Sequence, residues 1–244
     1  MPTIVLSDAH GHPQLITAAL EESGFVAGRD RLIFAGDFLD RGPRPGECLE
    51  LLEAAGAEML WGNHDDAILR GRTISPQDKR SWGFRERLLR GFESGEWQLV
   101  AATHGVLVSH AGITAAVATE AGYLGADALA AGLNAEFRLA VQDHLAGATD
   151  ATHPLLGDQG PLWLRPLYLS ARELPDMPQI AGHTEPDGGF SDDLAELGFH
   201  MIDPGAGRLR GGESPWSFRY ALVDDDGIQV REGLLPAACQ LAAS

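Results

Sequence analysis

Residues 34–42 read Phe-Ala-Gly-Asp-Phe-Leu-Asp-Arg-Gly, and this stretch decides how the rest of the chain is interpreted. The apolar run 31–35 leads into it and predicts a buried strand. The chain then turns at Gly36 and presents Asp37, Asp40 and Arg41 within five residues. Because two carboxylates and a guanidinium are costly to bury unpaired, the cluster indicates either a surface ion pair or a reactive site at a strand end.

Two further polar clusters end neighbouring apolar runs. Asp8-Ala-His10-Gly follows the run 3–7, and Gly62-Asn63-His64-Asp65 follows the run 58–61. Between these runs, helical spacing predicts helices from Pro13 to Gly24 and from Gly46 to Ala55. The order β-α-β-α-β predicts a parallel sheet whose site lies beyond the carboxyl ends of its strands. We therefore expect all three clusters at one edge of the sheet.

The second half of the chain repeats this pattern of apolar runs that end in polar residues. His110 follows a predicted hairpin of strands, and Gly182-His183-Thr184 follows another short strand. Alanine-rich sequence between them predicts helices, with breaks near Gly122 to Gly125 and at Gly132. The predicted strands in this half cover residues 98–102, 106–109, 178–181, 199–202, 218–223 and 228–231.

Six side chains of metal-ligand type end five separate apolar runs: Asp8, His10, Asp37, Asn63, His110 and His183. Mixed carboxylate, imidazole and amide donors suit Mn, Fe, Zn or Co better than calcium. A carboxylate shared by two ions, for which Asp37 is the candidate, would hold them about 3.5–4 Å apart. A lone histidine is more often a surface or core residue, but the combined set is hard to explain in that way.

Composition limits the class of protein and its partners. A length of 244 residues fits one α/β domain spanning 1–244, with helical cap-like segments near 66–97 and 114–160 over the site. A net charge of −17 disfavours duplex nucleic acid as a partner. No apolar run approaches membrane-spanning length. The distant Cys48 and Cys239 indicate a reduced compartment, and with no signal-peptide pattern we expect a cytoplasmic protein.

The ordered motifs resemble those of the calcineurin-like metallophosphoesterases. They are DAHG at 8–11, GDFLDRG at 36–42, GNHD at 62–65, HAG at 110–112 and GHT at 182–184. The GDFLDRG form is most similar to the phosphoprotein phosphatase branch, which includes small bacterial and phage serine/threonine phosphatases. The resemblance extends from residue 8 to about 207 and implies a β-sandwich of mixed sheets flanked by helices, in four layers αββα.

The resemblance also implies roles for individual residues. One ion would bind Asp8, His10 and Asp37, and the other would bind Asp37, Asn63, His110 and His183. Two divalent transition metal ions are implied, with Mn²⁺ the leading candidate and Fe, Zn, Co or Ni as alternatives. His64 would be the general acid, oriented by Asp40. Arg41 would bind phosphate oxygens, and Arg165 is a candidate for the same role, with a surface arginine as the alternative.

Three positions depart from the family pattern. Trp61 stands where the phosphatase branch usually has Arg, and Ala111 intervenes where a second Gly usually follows the histidine. Glu185 stands where the wider family often has the second histidine of a GHxH motif. Three roles are open for it: an additional metal ligand, a group that supports the ligands, or a loop carboxylate. His12 fits either the site or a solvated turn.

The leading hypothesis is a dinuclear metal phosphatase that hydrolyses phosphomonoesters by attack of a metal-bound hydroxide. A small phosphorylated substrate or a phosphoprotein is the expected partner, with phosphoserine and phosphothreonine as candidate groups. The first alternative is a phosphodiesterase or a diadenosine-tetraphosphate-type nucleotide hydrolase, although this subgroup often has Gln at the position of His10. The second alternative is a non-catalytic metal-binding scaffold.

Overall fold

The protein is built from two mixed β-sheets, as seen in a computed structural model that describes residues 1–122, 124–147, 153–166, 169–187, 189–208 and 217–235. The strands are β1 (Thr3–Leu6), β2 (Arg31–Phe34), β3 (Glu58–Leu60), β4 (Trp97–Gln98), β5 (Val100–Thr103), β6 (Val106–Ser109), β7 (Gln179–Ala181), β8 (Phe199–Met201), β9 (Ser217–Asp224) and β10 (Gly227–Leu234). One sheet has the order β10-β9-β1-β2-β3-β4, and the other has the order β5-β6-β7-β8.

Seven α-helices accompany the sheets: α1 (Pro13–Ser23), α2 (Pro45–Ala55), α3 (Asn63–Leu69), α4 (Arg85–Ser94), α5 (Ala115–Ala121), α6 (Ala126–Leu145) and α7 (Gly189–Glu196). That count covers the described residues, as does the finding that no helix is long and apolar enough to cross a membrane. Pro13 and Pro45 each begin a helix, and Gly24 and Gly56 end those helices in the left-handed conformation.

Alternation along the strands separates the cores on the two faces of the larger sheet. Ile4 and Leu6 of β1 pack on the helix side, whereas Val5 packs toward the second sheet. The inner core also takes Val108 and Ile180 from the second sheet. A third cluster packs β7 and β8 against α7. The layers therefore follow the order helix, sheet, sheet, helix, and the predicted fold class is confirmed.

The strand pairing brings the predicted carboxyl ends together. β1 pairs in parallel with β2, and β2 with β3, as the β-α-β-α-β order predicts. In the second sheet, β6 pairs in parallel with β7 and β7 with β8. The hairpin of β9 and β10 adds two antiparallel strands beside β1. The polar clusters after β1, β2, β3, β6 and β7 consequently lie at one end of the sandwich.

The structure corrects the predicted strand 98–102, which is divided between the two sheets. Gln98 belongs to β4 in the larger sheet, and Val100 begins β5 in the smaller one. The Oδ1 atom of Asn134 accepts hydrogen bonds from the backbone N–H groups of Leu99 and Val100, at 2.8 and 3.0 Å. These bonds satisfy the backbone where the chain leaves one ladder for the other.

Three smaller predictions about the helices were wrong. The helix predicted from Asp66 begins at Asn63, so the metal-ligand candidate at that position opens α3. α6 continues through Gly132 without a break, because this glycine is buried among apolar residues of the helix. Trp82, expected on an apolar face, is 36% exposed. The predicted loop 146–160 is described except for residues 148–152, which lie outside the described residues.

Candidate active site

The six predicted metal ligands converge at the carboxyl end of the parallel strands. All six are buried, with exposed fractions of 7% or less. The Oδ2 atom of Asp37 lies 3.5 Å from Nε2 of His10 and 3.5 Å from Nε2 of His110. Asp8 also belongs to the cluster, because its Oδ1 atom lies 3.9 Å from Nε2 of His10. Asp37 thus stands between two groups of donors.

The donor groups differ in detail from the two sets that the resemblance implies. Ligand atoms of Asp8, Asp37 and His110 lie within 4.8 Å of one another, as do those of His10, Asp37 and His64. Asp37 is common to both groups, which supports its predicted position between two ions. Asp8, however, is grouped with His110, and His64 is grouped with His10. The predicted partition of ligands between the ions stays a prediction.

The backbone at these strand ends is held in an unusual conformation. Six site residues have positive φ angles between 42° and 67°: Asp8, His10, Asp37, Asp40, Arg41 and His183. Left-handed conformations cost non-glycine residues about 1–3 kcal/mol each and persist only where surrounding contacts impose them. Concentration of this strain at the ends of three strands, β1, β2 and β7, supports the interpretation that the end of the sandwich is a functional site.

Two motif glycines make room for the carboxylates. A Cβ atom on Gly62 would lie 2.1 Å from Oδ1 of Asp37, and one on Gly182 would lie 2.0 Å from Oδ2 of Asp8. Any side chain at either position would displace a ligand candidate. The backbone at these two positions lies so close to the carboxylates that only glycine fits just before Asn63 and His183.

Backbone carbonyls fix the tautomers of two histidines. Nδ1 of His10 donates to the carbonyl of Leu39 at 2.7 Å, and Nδ1 of His110 donates to that of Ala35 at 2.8 Å. A carbonyl oxygen can only accept, so the proton of each neutral ring is on Nδ1. The Nε2 lone pairs of both rings are therefore directed into the cluster, in the form that binds a metal ion.

The arrangement of acceptors fits bound cations. Nε2 of His110 faces Oδ1 of Asn63 at 2.9 Å and Nδ1 of His183 at 3.2 Å, in addition to the carboxylate of Asp37. The Nε2 atom of His183 is buried and has no hydrogen-bond partner. Nε2 of His110, Oδ1 of Asn63 and the carboxylate of Asp37 are all acceptors, and acceptors that face one another in a buried site are unfavourable unless a cation lies among them. The donor set therefore suits divalent transition metal ions.

Burial also sets the protonation states of the donors. Desolvation lowers the pKa of His110 to about 3 and lowers the pKa of His10 and His183 well below the usual value. These rings are therefore neutral and can bind a metal ion. Desolvation raises the pKa of Asp37 and Asp8 well above the ordinary range, with a further contribution from neighbouring carboxylates. Bound cations would offset this cost and keep both carboxylates ionised.

His64 and Asp40 form a hydrogen-bonded pair beside the donor cluster. Nδ1 of His64 lies 2.5 Å from Oδ2 of Asp40, and both side chains are buried. The backbone N–H of His64 donates to Oδ1 of Asp37 at 3.0 Å. With Nδ1 held by Asp40, the Nε2 atom of His64 is the one free to act in the cavity.

Two arginines line a cavity of about 400 Å³ above the donors, as does His64. Arg41 is half-buried, with its Nε atom buried and without a hydrogen-bond partner. Arg165 is exposed, and its Nη1 donates to the carbonyl of His183 at 2.5 Å and to the hydroxyl of Thr184 at 3.1 Å. Both guanidinium groups supply positive charge beside a cluster of carboxylates.

The three departures from the family pattern have distinct environments. Trp61 is fully buried and packs against Trp97 at a ring distance of 4.9 Å, so it fills the core and does not line the cavity. Ala111 is buried, and its N–H donates to the carbonyl of Pro161 at 2.7 Å. Glu185 lines the cavity and pairs with Arg208 at 2.7 Å. His12 is buried but does not line the cavity.

Sequence reasoning missed several residues of the cavity, and two of the charged ones are Asp203 and Arg208. Asp203 is buried, and desolvation together with Glu185 raises its pKa to about 6. Arg208 is 75% exposed and contributes a third guanidinium. Both residues follow the strand β8. The search for polar side chains just after an apolar run, which located the other clusters, could therefore have found them as well. Among the described residues, none that lines the cavity comes from the predicted cap-like segments near 66–97 and 114–160.

A family model described as calcineurin-like phosphoesterase matches residues 1–207. The chain belongs to this family. The membership predicted from the motifs is confirmed, and it accounts for the buried acidic and histidine donors at the end of the sandwich. Divalent metal ions are the cofactors that this family implies.

The chain is also similar to individual proteins over part of its length, and to a solved structure in its fold. The symmetrical bis(5'-nucleosyl)-tetraphosphatase of Chromohalobacter salexigens is 36% identical over 83 residues, which cover 33% of this chain and 30% of that protein. Serine/threonine-protein phosphatase 1 of Salmonella typhimurium is 35% identical over 71 residues, covering 29% of this chain and 33% of that protein. The matched stretches thus span about a third of these relatives. A mutant cold-active protein tyrosine phosphatase shares the fold, with a TM-score of 0.67 at 19% identity over 96% of this chain and 80% of that chain.

Proposed function

We propose that the protein is a metal-dependent phosphoric ester hydrolase that acts on phosphomonoesters, with phosphoserine or phosphothreonine as candidate groups. The observation that carries the proposal is the juxtaposition of Asp37 between His10 and His110, with the His64–Asp40 pair beside them. A metal-binding scaffold without catalysis would not need the His64–Asp40 pair in addition to the metal ligands. The cytoplasmic location expected from the sequence stays a prediction.

The proposed ligands are the six converging side chains Asp8, His10, Asp37, Asn63, His110 and His183, and the proposed ions are two, with Mn²⁺ as the leading candidate. When bound, such ions would activate a water molecule and neutralise phosphoryl oxygens. Arg41 and Arg165 would bind the remaining phosphate oxygens, because planar guanidinium groups match phosphate in geometry and charge.

His64 would deliver the proton to the leaving alkoxide. The Nδ1 atom is occupied by Asp40, so the proton would leave from Nε2 in the cavity. A histidine oriented by a carboxylate can donate near neutral pH, and a positioned general acid contributes about 10²–10⁴-fold to turnover. Asp40 would keep the ring in the orientation from which this transfer occurs.

Hydrolysis of nucleotide phosphoanhydrides or phosphodiesters is the second candidate. The similarity to a protein named as a bis(5'-nucleosyl)-tetraphosphatase favours it, as does the third guanidinium of Arg208 in the cavity. An additional cation would help to bind a substrate with more than one phosphate group.

A substrate panel separates these possibilities. We would measure kcat/KM for p-nitrophenyl phosphate, bis-p-nitrophenyl phosphate, a phosphoserine peptide and diadenosine tetraphosphate, each with Mn²⁺ and after EDTA treatment. The proposal expects monoester hydrolysis that EDTA abolishes. Preference for the dinucleotide would support the second candidate, and no turnover of any substrate with full metal content would support a scaffold. Full activity in metal-free protein would refute the metal-dependent reaction.

A further inference from the structure

The carboxylate of Asp40 is held on both of its oxygens. Oδ2 is bonded to Nδ1 of His64, whereas Oδ1 accepts the backbone N–H of Asp78 at 2.9 Å and the hydroxyl of Ser81 in a short hydrogen bond. Ser81 is 1% exposed and Asp40 is 1% exposed, so water does not compete for these bonds. The carboxylate therefore accepts from three donors, one of which is the catalytic candidate His64.

Ser81 comes from a part of the chain far from the motifs. It lies in a 3-10 helix, Lys79–Phe84, between α3 and α4. The side chain of Asp78 accepts the N–H of Arg80 and begins this helix. Because the helix is fixed at its start, both of its contributions to Asp40 are set by local backbone structure.

We propose that Ser81 is a positioning residue for the reaction. Its hydroxyl fixes the rotation of the Asp40 carboxylate, and the carboxylate in turn fixes the ring of His64 with Nε2 in the cavity. The inference rests on the proposed function, since it assigns Ser81 a role in the proton transfer through His64. The segment 66–97, predicted as a cap over the site, would then affect catalysis through its contact with Asp40, without lining the cavity.

The surroundings of Asp40 explain why the Ser81 hydroxyl affects the orientation of its carboxylate. Asp40 has a φ of 66°, so its backbone is held in a strained conformation by its surroundings. Its carboxylate is oriented by the three hydrogen bonds that it accepts. Hydrogen bonds to an ionised acceptor are about twice as strong as neutral ones. Removing the Ser81 donor leaves the Asp78 N–H as the one donor on Oδ1, so that oxygen is held less firmly and the carboxylate can shift against His64. Partial loss of orientation is expected, not loss of the site.

Kinetics of Ser81→Ala test the proposal. We expect kcat for an alkyl phosphate to fall by roughly 10-fold, with KM little changed, because the loss affects proton delivery and not phosphate binding. The loss should be smaller for p-nitrophenyl phosphate, whose leaving group needs little protonation. Ser81→Thr retains the hydroxyl and should restore most of the turnover. Ser94→Ala is the matched control, since that hydroxyl donates to the carbonyl of Gly91 instead.

A double-mutant cycle distinguishes positioning from general structural support. In a His64→Ala background, Ser81→Ala should cause no further loss of kcat, because the residue through which it acts is gone. An equal loss in both backgrounds would overturn the proposal, as would unchanged kcat for alkyl esters in the single variant.

NMR of the zinc-loaded full chain provides a readout that does not depend on turnover. The Nδ1–H proton of His64, assigned by its absence in His64→Ala, should shift or broaden in Ser81→Ala and stay unchanged in Ser94→Ala. An unchanged signal in Ser81→Ala would overturn the positioning role. If the wild-type protein hydrolyses no ester, the proposed function fails, and this signal alone decides whether Ser81 orients the pair.

Discussion

Two cavities within the described residues differ in how their polar groups are arranged, and the larger of the two does not contain the metal-ligand candidates. A cleft of about 510 Å³ lies between β5 and α6, whereas the cavity at the strand ends measures about 400 Å³. In the cleft, Arg31 pairs with Glu58, and Asn134 bonds the backbone of Leu99 and Val100. One buried nitrogen there, Nε1 of Trp97, has no hydrogen-bond partner. In the strand-end cavity, acceptors face acceptors and His183 has a buried nitrogen without a partner.

The difference shows that a site is recognised by its unmet polar groups and not by its volume. A buried polar group without a partner costs about 1–3 kcal/mol, so several acceptors gathered at one place indicate a ligand that supplies the missing interaction. Bound cations would supply it around Asp37. In the cleft between β5 and α6, Arg31, Glu58 and Asn134 have partners within the protein, and the unpartnered nitrogen of Trp97 is an isolated donor, not a group of facing acceptors. We expect the residues of the cleft to contribute to stability alone.

Asp37→Asn gives the largest expected effect. The substitution keeps the shape of the side chain but removes the charge from the carboxylate between His10 and His110. We expect the metal content, measured by elemental analysis, to fall from about two ions per chain to less than one. Hydrolysis of p-nitrophenyl phosphate should fall to the background rate. Asp225→Asn, at a side chain that is 94% exposed, is the charge-matched control and should change neither quantity. Full metal content in Asp37→Asn would contradict a shared carboxylate.

His64→Ala should separate proton delivery from metal binding. We expect turnover of an alkyl phosphate to fall by roughly 10²–10⁴-fold, with metal content nearly intact because the six proposed ligands remain. The loss should be smaller for p-nitrophenyl phosphate, and Asp40→Asn should show a weaker version of the same pattern. Equal losses for both esters would remove His64 from the acid role. Loss of metal would instead make it a ligand, as its grouping with His10 and Asp37 allows.

Asn134→Ala changes a residue of the cleft between β5 and α6. It should lower the stability of the protein and leave its activity unchanged. Its side chain bonds the N–H groups of Leu99 and Val100 and the carbonyl of Val100, where the chain passes from one sheet to the other. Leaving these buried groups unpaired should lower the free energy of unfolding by about 2–4 kcal/mol. Urea denaturation measures this, with Gln142→Ala on an exposed position of the same helix as the control. A fall in kcat of the folded variant would show that the two cavities are coupled.

The sequence predicted the strand ends well because local patterns determine them. The run into Asp37 and its glycine turn can be read without knowledge of the neighbours, and parallel pairing then brings the clusters together. Ser81 could not be found in this way, since a serine in a charged helical stretch carries no signal until the fold brings it to Asp40. The split at Leu99 depended on Asn134, which is 35 residues away in the chain. Polar contacts between residues far apart in the chain were therefore what the sequence patterns could not predict.

Glu58→Gln should give the smallest effect, although its partner lines the larger cavity. The pair with Arg31 is bidentate, at 2.6 and 2.7 Å, but the two side chains are 37% and 46% exposed. Solvent screens such a pair, so we expect a change of less than about 1 kcal/mol in the free energy of unfolding and none in kcat. Arg31→Met should cost more, because Arg31 also donates to the carbonyl of Ala102 at 2.8 Å. A double-mutant cycle with both substitutions isolates the ion pair, and its coupling energy should vanish in about 1 M salt. A coupling above roughly 2 kcal/mol that persists in salt would mean that the cleft is as strongly desolvated as the strand-end cavity. Volume would then have been a better guide to a second site than unmet polar groups.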